Sequence, residues 1–196
     1  MLEFFFIGFL LGISSGISPG PLMAVLIQET IKGNIKNGIV VSIIPIITDI
    51  PLILILVFLI KQVEQIEIIT KVLSFLGFIV LLYYGIKDLL TTKVDLEIDQ
   101  KTTDSLKKGF ITNIFNPHPY IFWGLIGVPF IVEEDILNMV SFVIGFFTGI
   151  VCSKISIALA VEKSKMFIHS KYYIYLVRVS GFVLIIFGLI LFSRIF

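Results

Sequence analysis

The chain has a single cysteine, Cys152, and two histidines, His118 and His169, on different segments and without the spacing of metal ligands. One cysteine excludes an intramolecular disulfide framework, and no metal centre is expected. Catalytic signatures are missing too: there is no HExxH, no GxSxG, no phosphate loop and no pair of carboxylates within one helix core. The chain therefore does not read as an enzyme, and no cofactor is implied. Charge of either sign is scarce, and a net charge of +1 gives no electrostatic case for a nucleic-acid partner. Residues 1–15 carry Glu3 and no Lys or Arg, so the positive n-region of a cleavable signal is lacking and the first helix is expected to be retained.

What fills the chain instead is apolar. Hydrophobic residues make up 57% of it and its mean hydropathy is +1.06, far above soluble-domain composition. This predicts an all-α, polytopic protein whose first partner is the lipid bilayer. Apolar runs cover residues 2–29, 37–60, 68–90, 109–132, 136–161 and 172–196, six in all. At about 20 apolar residues per crossing, each is long enough to span. The whole chain, 1–196, is then one transmembrane domain, and function must lie inside the bundle. Only one connection, residues 91–108, is long. With Lys87 and Asp88 it holds Lys93, Asp95, Glu97, Asp99, Lys101, Asp104, Lys107 and Lys108, and its mixed charges read as a solvated linker.

Two of the six runs contain helix breakers. Residues 16–23 read Gly-Ile-Ser-Pro-Gly-Pro-Leu-Met, and a proline inside a helix lacks the N–H its position donates and crowds the carbonyl one turn back. In lipid such a break survives only where other protein or a water-filled cavity satisfies the freed backbone. Ser18 can cap, and Pro19 or Pro21 can take the first helical position, so a half-helix is predicted to start there with its positive end at membrane depth. The second break, Asn116-Pro117-His118-Pro119, places its prolines 98 positions after Pro19 and Pro21, half the chain length. Two halves of three crossings each, about 1–90 and 109–196, would enter from opposite sides, which is the inverted-repeat plan of many secondary transporters, here with broken helices one and four.

Orientation follows from the basic residues. Lys32, Lys36, Lys87, Lys93, Lys101, Lys107, Lys108, Lys163, Lys165 and Lys171 flank one side, against Lys61, Lys71 and Arg194 on the other. The rich side is predicted to be cytoplasmic, with both termini outside. Counting about 1.5 Å per residue from the cytoplasmic ends puts Gly20 and Pro119 roughly 15 Å deep, Asp49 roughly 18 Å and Lys154 roughly 12 Å. All lie near the midplane of a ~30 Å core. An acid at that depth costs at least ~2.5 kcal/mol and needs a partner. Either Asp49 pairs with Lys154 and joins helices two and five, or Asp49, with Thr48 beside it, meets a substrate ammonium or takes a proton. Small residues mark where helices touch: Gly8, Gly12, Gly16 and Gly20 recur every four positions, as do Ser141, Gly145, Gly149 and Ser153, giving helices one and five flat faces. Gly77, Gly85, Gly181 and Gly188 extend the pattern to helices three and six. Tyr120, Phe122 and Trp123 read as core packing.

Taken together, residues 16–22, Glu29-Thr30, Pro45 with Thr48-Asp49-Ile50-Pro51, and the stretch Asn113-Ile-Phe-Asn-Pro-His-Pro-Tyr-Ile-Phe-Trp123 resemble the LysE-type family of amino-acid exporters over the whole chain. One departure is Ser42 and Pro45 where many members carry further glycines. The resemblance implies a six-helix exporter of amino acids or related small metabolites in the cytoplasmic membrane. On this reading the substrate-binding residues are Ser18, Pro19, Gly20, Pro21, Thr48, Asp49, Asn113, Asn116, Pro117 and His118. Half-helices after Pro21 and Pro117 would offer backbone N–H groups to a carboxylate, and Asp49 would receive the ammonium. Asp49 and Lys154 are the candidates for coupling to a proton or other ion, because nothing in the chain can bind a nucleotide. A membrane scaffold or a small-solute channel is the alternative, and a homo-oligomer is left open.

Overall fold

The computed structural model describes residues 1–62, 66–92, 104–164 and 170–193. Most of the expected 91–108 linker, with Lys165, His169 and Arg194, lies outside the described residues. Among the described residues all regular structure is helical. The elements are α1 (Leu2–Ile17), α2 (Pro21–Lys32), α3 (Ile35–Lys61), α4 (Ile66–Leu89), α5 (Ser105–Ile114), α6 (Pro117–Phe122), a π-helical turn (Trp123–Gly127), α7 (Val128–Ile131), α8 (Ile136–Lys163) and α9 (Lys171–Ser193). Four stretches are long and apolar enough to cross a bilayer singly, Ile35–Lys61, Thr70–Leu89, Ile136–Lys163 and Lys171–Ser193, and α1 with α2 is a fifth candidate as a pair bent by 67°. This is a multi-pass membrane protein. The expected fourth run is divided between α5 and the α6 to α7 segment, and neither piece reaches the length of a crossing by itself.

The two breaks fall at the proline pairs for a common reason. A residue before proline is pushed out of the α region, because the proline ring crowds its backbone N–H and Cβ. Ser18, before Pro19, takes φ −56° and ψ 130°, and Asn116, before Pro117, takes φ −80° and ψ 122°. Pro21 and Pro117 then open the next helices at their first position, where a missing N–H costs nothing. Pro45 and Pro51 lie inside α3 without ending it. Each follows an isoleucine rather than a residue that can cap.

Packing follows the small residues. Gly8, Gly12, Gly145 and Gly149 bring α1 and α8 so close that a Cβ on any of them would lie 2.1–2.2 Å from a carbonyl oxygen of the other helix. The contacts of Gly8 with Phe142, Gly12 with Phe146 and Gly16 with Ser153 advance together, so these two helices run parallel. Gly85 and Gly181 each face the other's carbonyl oxygen, and there α4 and α9 cross antiparallel, Gly77 meeting Leu191 at one end. Outward faces carry Leu54, Phe58, Ile144, Phe182 and Leu189, the exposed apolar surface that lipid requires.

Two ends of the expected linker belong to helices instead. Residues 105–108 form the first turn of α5, with Asp104 as cap accepting from the Lys107 N–H at 3.1 Å. Lys87 and Asp88 are the last turn of α4, and Asp88 is only 6% exposed. Leu81, Gly85 and Asp88 form one helical stripe, all buried, so the carboxylate faces protein rather than water.

Candidate functional site

The breaks in α1–α2 and α5–α6 face each other across a cavity of about 270 Å³. Ser18, Pro19, Gly20 and Pro21 line it from the first break, Asn116, Pro117 and His118 from the second. Asp49 reaches it from α3, Asn113 from the end of α5 and Lys154 from α8. Of the expected site residues, only Thr48 stands behind the wall. Gly20 has open space where a Cβ would sit, so this glycine widens the cavity rather than tightening a helix contact.

Asp49, 4% exposed, is held by three neutral neighbours. Thr48 Oγ1 donates to its Oδ1 at 2.8 Å, Asn113 Nδ2 to the same oxygen at 3.0 Å, and Trp123 Nε1 to Oδ2 at 3.2 Å. Asn113 Nδ2 also donates to Thr48 Oγ1 at 2.6 Å, closing a triangle between α3 and α5. Amide, hydroxyl and indole donors all stabilise the carboxylate without adding charge. No hydrogen bond joins Asp49 to Lys154 among the described residues, but the two charges interact electrostatically at the cavity. Lys154, on α8, is 3% exposed and lines the cavity together with Asp49. On α9, Arg178 Nε donates to the Thr91 carbonyl just beyond α4 at 3.1 Å.

The half-helix N-termini are unequal. At α2, Gly20 supplies no side-chain cap, and the first intrahelical bond is from the Ala24 N–H to the Gly20 carbonyl at 3.0 Å. The Leu22 and Met23 N–H groups precede it and both residues line the cavity. At α6 the early donors are spent: Pro117 and Pro119 have none, and the His118 N–H goes to Asn116 Oδ1 at 3.1 Å. Backbone donors expected at both breaks are therefore left over at α2 and not at α6.

Two residues acquire roles the sequence did not give them. Trp123 packs on Phe142, Phe146 and Phe147 as expected, but the π turn it opens turns its indole N–H onto Asp49. Asp88 accepts from Ser18 Oγ at 3.2 Å and lines a second cavity of about 90 Å³ that shares Ser15, Ser18, Tyr84 and His118 with the first. The Ser18 hydroxyl also lies 2.9 Å from the Ser14 carbonyl, so one proton serves two acceptors at the break. The helical stripe through Leu81 and Gly85 was the available signal for Asp88. His118, on the wall between the two cavities, packs its ring on Tyr84 with centroids 5.3 Å apart.

About two turns from the cavity, a buried polar clasp joins α2 to α5. Lys108 Nζ donates to Gln28 Oε1 at 2.5 Å and stands 3.6 Å from Glu29 Oε1, while Ser105 Oγ donates to Glu29 Oε2 at 2.6 Å.

Broken membrane helices that bring an acid, an amine and free backbone donors to one interior cavity are the construction of a membrane transporter for small polar solutes. The chain belongs to the LysE type translocator family, whose model matches residues 13–194. This is a family of transporters rather than enzymes. No curated protein and no solved structure matches the chain.

Proposed function

We propose that the protein is a secondary active exporter of amino acids or related small metabolites in the cytoplasmic membrane, driven by a proton or other ion gradient. The observation that carries this is the cavity at the two breaks, where Asp49 keeps its Oδ2 with a single donor and so has room for a substrate ammonium. Asp49 also stays the candidate for ion coupling, since the same oxygen can take a proton.

Six crossings in two inverted halves remain our reading of the architecture. Under that symmetry α1 on α8 corresponds to α5 on α3, and α4 on α9 is its own counterpart. Each of these contacts is made, the first two between parallel helices and the last antiparallel. The basic residues put the α2–α5 clasp on the cytoplasmic side. A closed clasp there is what an outward-facing state of alternating access needs, and it would have to open for substrate to enter from the cell.

Counterflow tests the function. Proteoliposomes preloaded with an unlabelled amino acid should take up the same labelled amino acid transiently above equilibrium, with saturable rates. A scaffold gives no uptake, and a channel gives uptake without the overshoot; either result rejects the exporter.

Topology is tested separately at Thr92, which is exposed just beyond α4. In a Cys152→Ser background, needed because Cys152 is itself exposed, Thr92→Cys should resist an impermeant maleimide in intact cells and react after permeabilisation. Labelling in intact cells would turn the molecule over.

A further inference from the structure

We infer that Asp88 is a proton-binding station between the central cavity and the cytoplasmic end of the bundle, through which the coupling proton of export leaves. The inference rests on the exporter reading and the topology proposed above, and it assigns their ion step to a group. Asp88 is 6% exposed, and among the described residues the one hydrogen bond to its carboxylate comes from Ser18 Oγ at 3.2 Å. That donor is neutral and is shared with the Ser14 carbonyl. A carboxylate buried in a bundle normally holds a cationic partner, because an unmatched charge in low dielectric is costly. The charged groups around Asp88 fall short of one. Lys87, beside it on α4, interacts with it electrostatically but is exposed and makes no ion pair with it, and Arg178, on α9, gives its Nε to the Thr91 carbonyl. The other titratable neighbours are Tyr84, His118 and Tyr173; His118 packs on Tyr84, and Tyr173 donates its hydroxyl to the Ile17 carbonyl at 3.0 Å.

Two further features agree. Ser18 closes the C-terminus of α1 and Asp88 lies in the last turn of α4, so the carboxylate stands where two helices end, and the carbonyl ends of both attract positive charge. The Ser15 carbonyl lacks its usual intrahelical partner there, because residue 19 is a proline. The second cavity, in turn, is a passage. At about 90 Å³ it adjoins the central cavity at Ser15, Ser18, Tyr84 and His118, and it reaches Lys87 and Thr91 at the end of α4. A water needs about 10–15 Å³ of such space and polar neighbours, so several fit. The basic residues put that end of α4 in the cytoplasm. A proton that substrate displaces from Asp49 therefore meets Asp88 as the next carboxylate on its way into the cell. A proton suits this donor set better than a metal ion, since one carboxylate and one hydroxyl fall short of the roughly six oxygens a hard metal cation takes.

Transport driven by a pH gradient, set against counterflow that needs no net proton movement, provides the test. Wild-type proteoliposomes with an acid lumen should accumulate labelled L-lysine or L-leucine, whichever the protein exchanges, as protons leave, and a sodium gradient at equal pH should drive nothing. Asp88→Asn should lower the pH-driven accumulation at least tenfold more than it lowers counterflow. Asp88→Glu, which keeps the acid, should recover part of the loss. A merely structural role moves both rates together, so a folded Asp88→Asn that loses both alike, or neither, overturns the station. Wild type supplies a measurement free of any variant. Dicyclohexylcarbodiimide, which adds to protonated carboxyl groups in apolar surroundings, should modify Asp88 in acid and not in alkali, read by mass spectrometry of the digested protein. An adduct absent at both, or equal at both, overturns the station as well, and so does accumulation driven by sodium in place of protons. Wild type that exchanges neither amino acid rejects the exporter reading and the station's role with it. Counterflow without any response to the pH gradient is a distinct outcome and removes the proton station alone.

Discussion

Asp49→Asn should lower the initial rate of counterflow at least tenfold while leaving the protein folded, with a melting temperature within a few degrees of wild type. Tenfold corresponds to about 1.4 kcal/mol of transition-state stabilisation. The side chain is surrounded by donors, from Thr48, Asn113 and Trp123. An amide keeps one acceptor for them and turns its NH2 on the rest, and the cost of the donor left unmatched, about 1–3 kcal/mol, is offset because no charge is buried any longer. What it cannot keep is the charge that receives an ammonium or a proton. The double variant Asp49→Asn with Lys154→Gln should not recover transport. Recovery would be expected if the two residues were a structural ion pair, since removing both charges relieves the isolated one. Full activity in the single variant, or rescue in the double, would defeat the assignment.

The path of the chain was legible where a local rule decides it. Proline disfavours the α conformation at the residue before it, and with Ser18 and Asn116, which can cap, at that place the breaks could be read without knowing what they face, whereas Pro45 and Pro51 after isoleucines leave α3 unbroken. The four-residue rhythm of Gly8, Gly12, Gly145 and Gly149 likewise marked two flat faces, and the sequence already suggested their meeting. Counting depth from the loops brought Asp49, Lys154 and both breaks to one level, and one cavity joins them. What depth does not contain is rotation about a helix axis. Asp49 and Lys154 share a level, yet the carboxylate turns to Asn113 and Trp123. Asp88 was hidden by its neighbours: following Lys87 at the end of an apolar run, it looked like the start of a solvated linker, although its helical phase is that of Leu81 and Gly85. The turn at Trp123 follows from no local residue preference, because a π turn shifts the register of all that follows and depends on what the helix packs against.

Gly12→Ala should be among the most damaging single changes to the fold, although it adds one carbon. The new Cβ would lie 2.1 Å from the Phe146 carbonyl oxygen and 2.9 Å from the Ile150 backbone nitrogen. Neither is the movable end of a side chain, so α1 and α8 must separate along the seam that Gly8, Gly145 and Gly149 also form. Overpacking of ordinary cores costs typically about 1–3 kcal/mol. Against backbone on both sides the upper end is expected, about 3 kcal/mol, or a fall in melting temperature of roughly 10 °C for a chain of this size. Gly124→Ala is the matched control, since nothing lies within 4 Å of a Cβ there, and its melting should stay at the wild-type value. The seam also sets the width of the cavity: α1 supplies Ser15 to one wall, and α8 supplies Phe146, Ile150 and Lys154 to the other. Gly12→Ala protein that survives purification should therefore exchange substrate several-fold more slowly below its melting temperature. If Gly12→Ala melts like Gly124→Ala, the two helices do not touch backbone to backbone, and the geometry derived for the cavity falls with them.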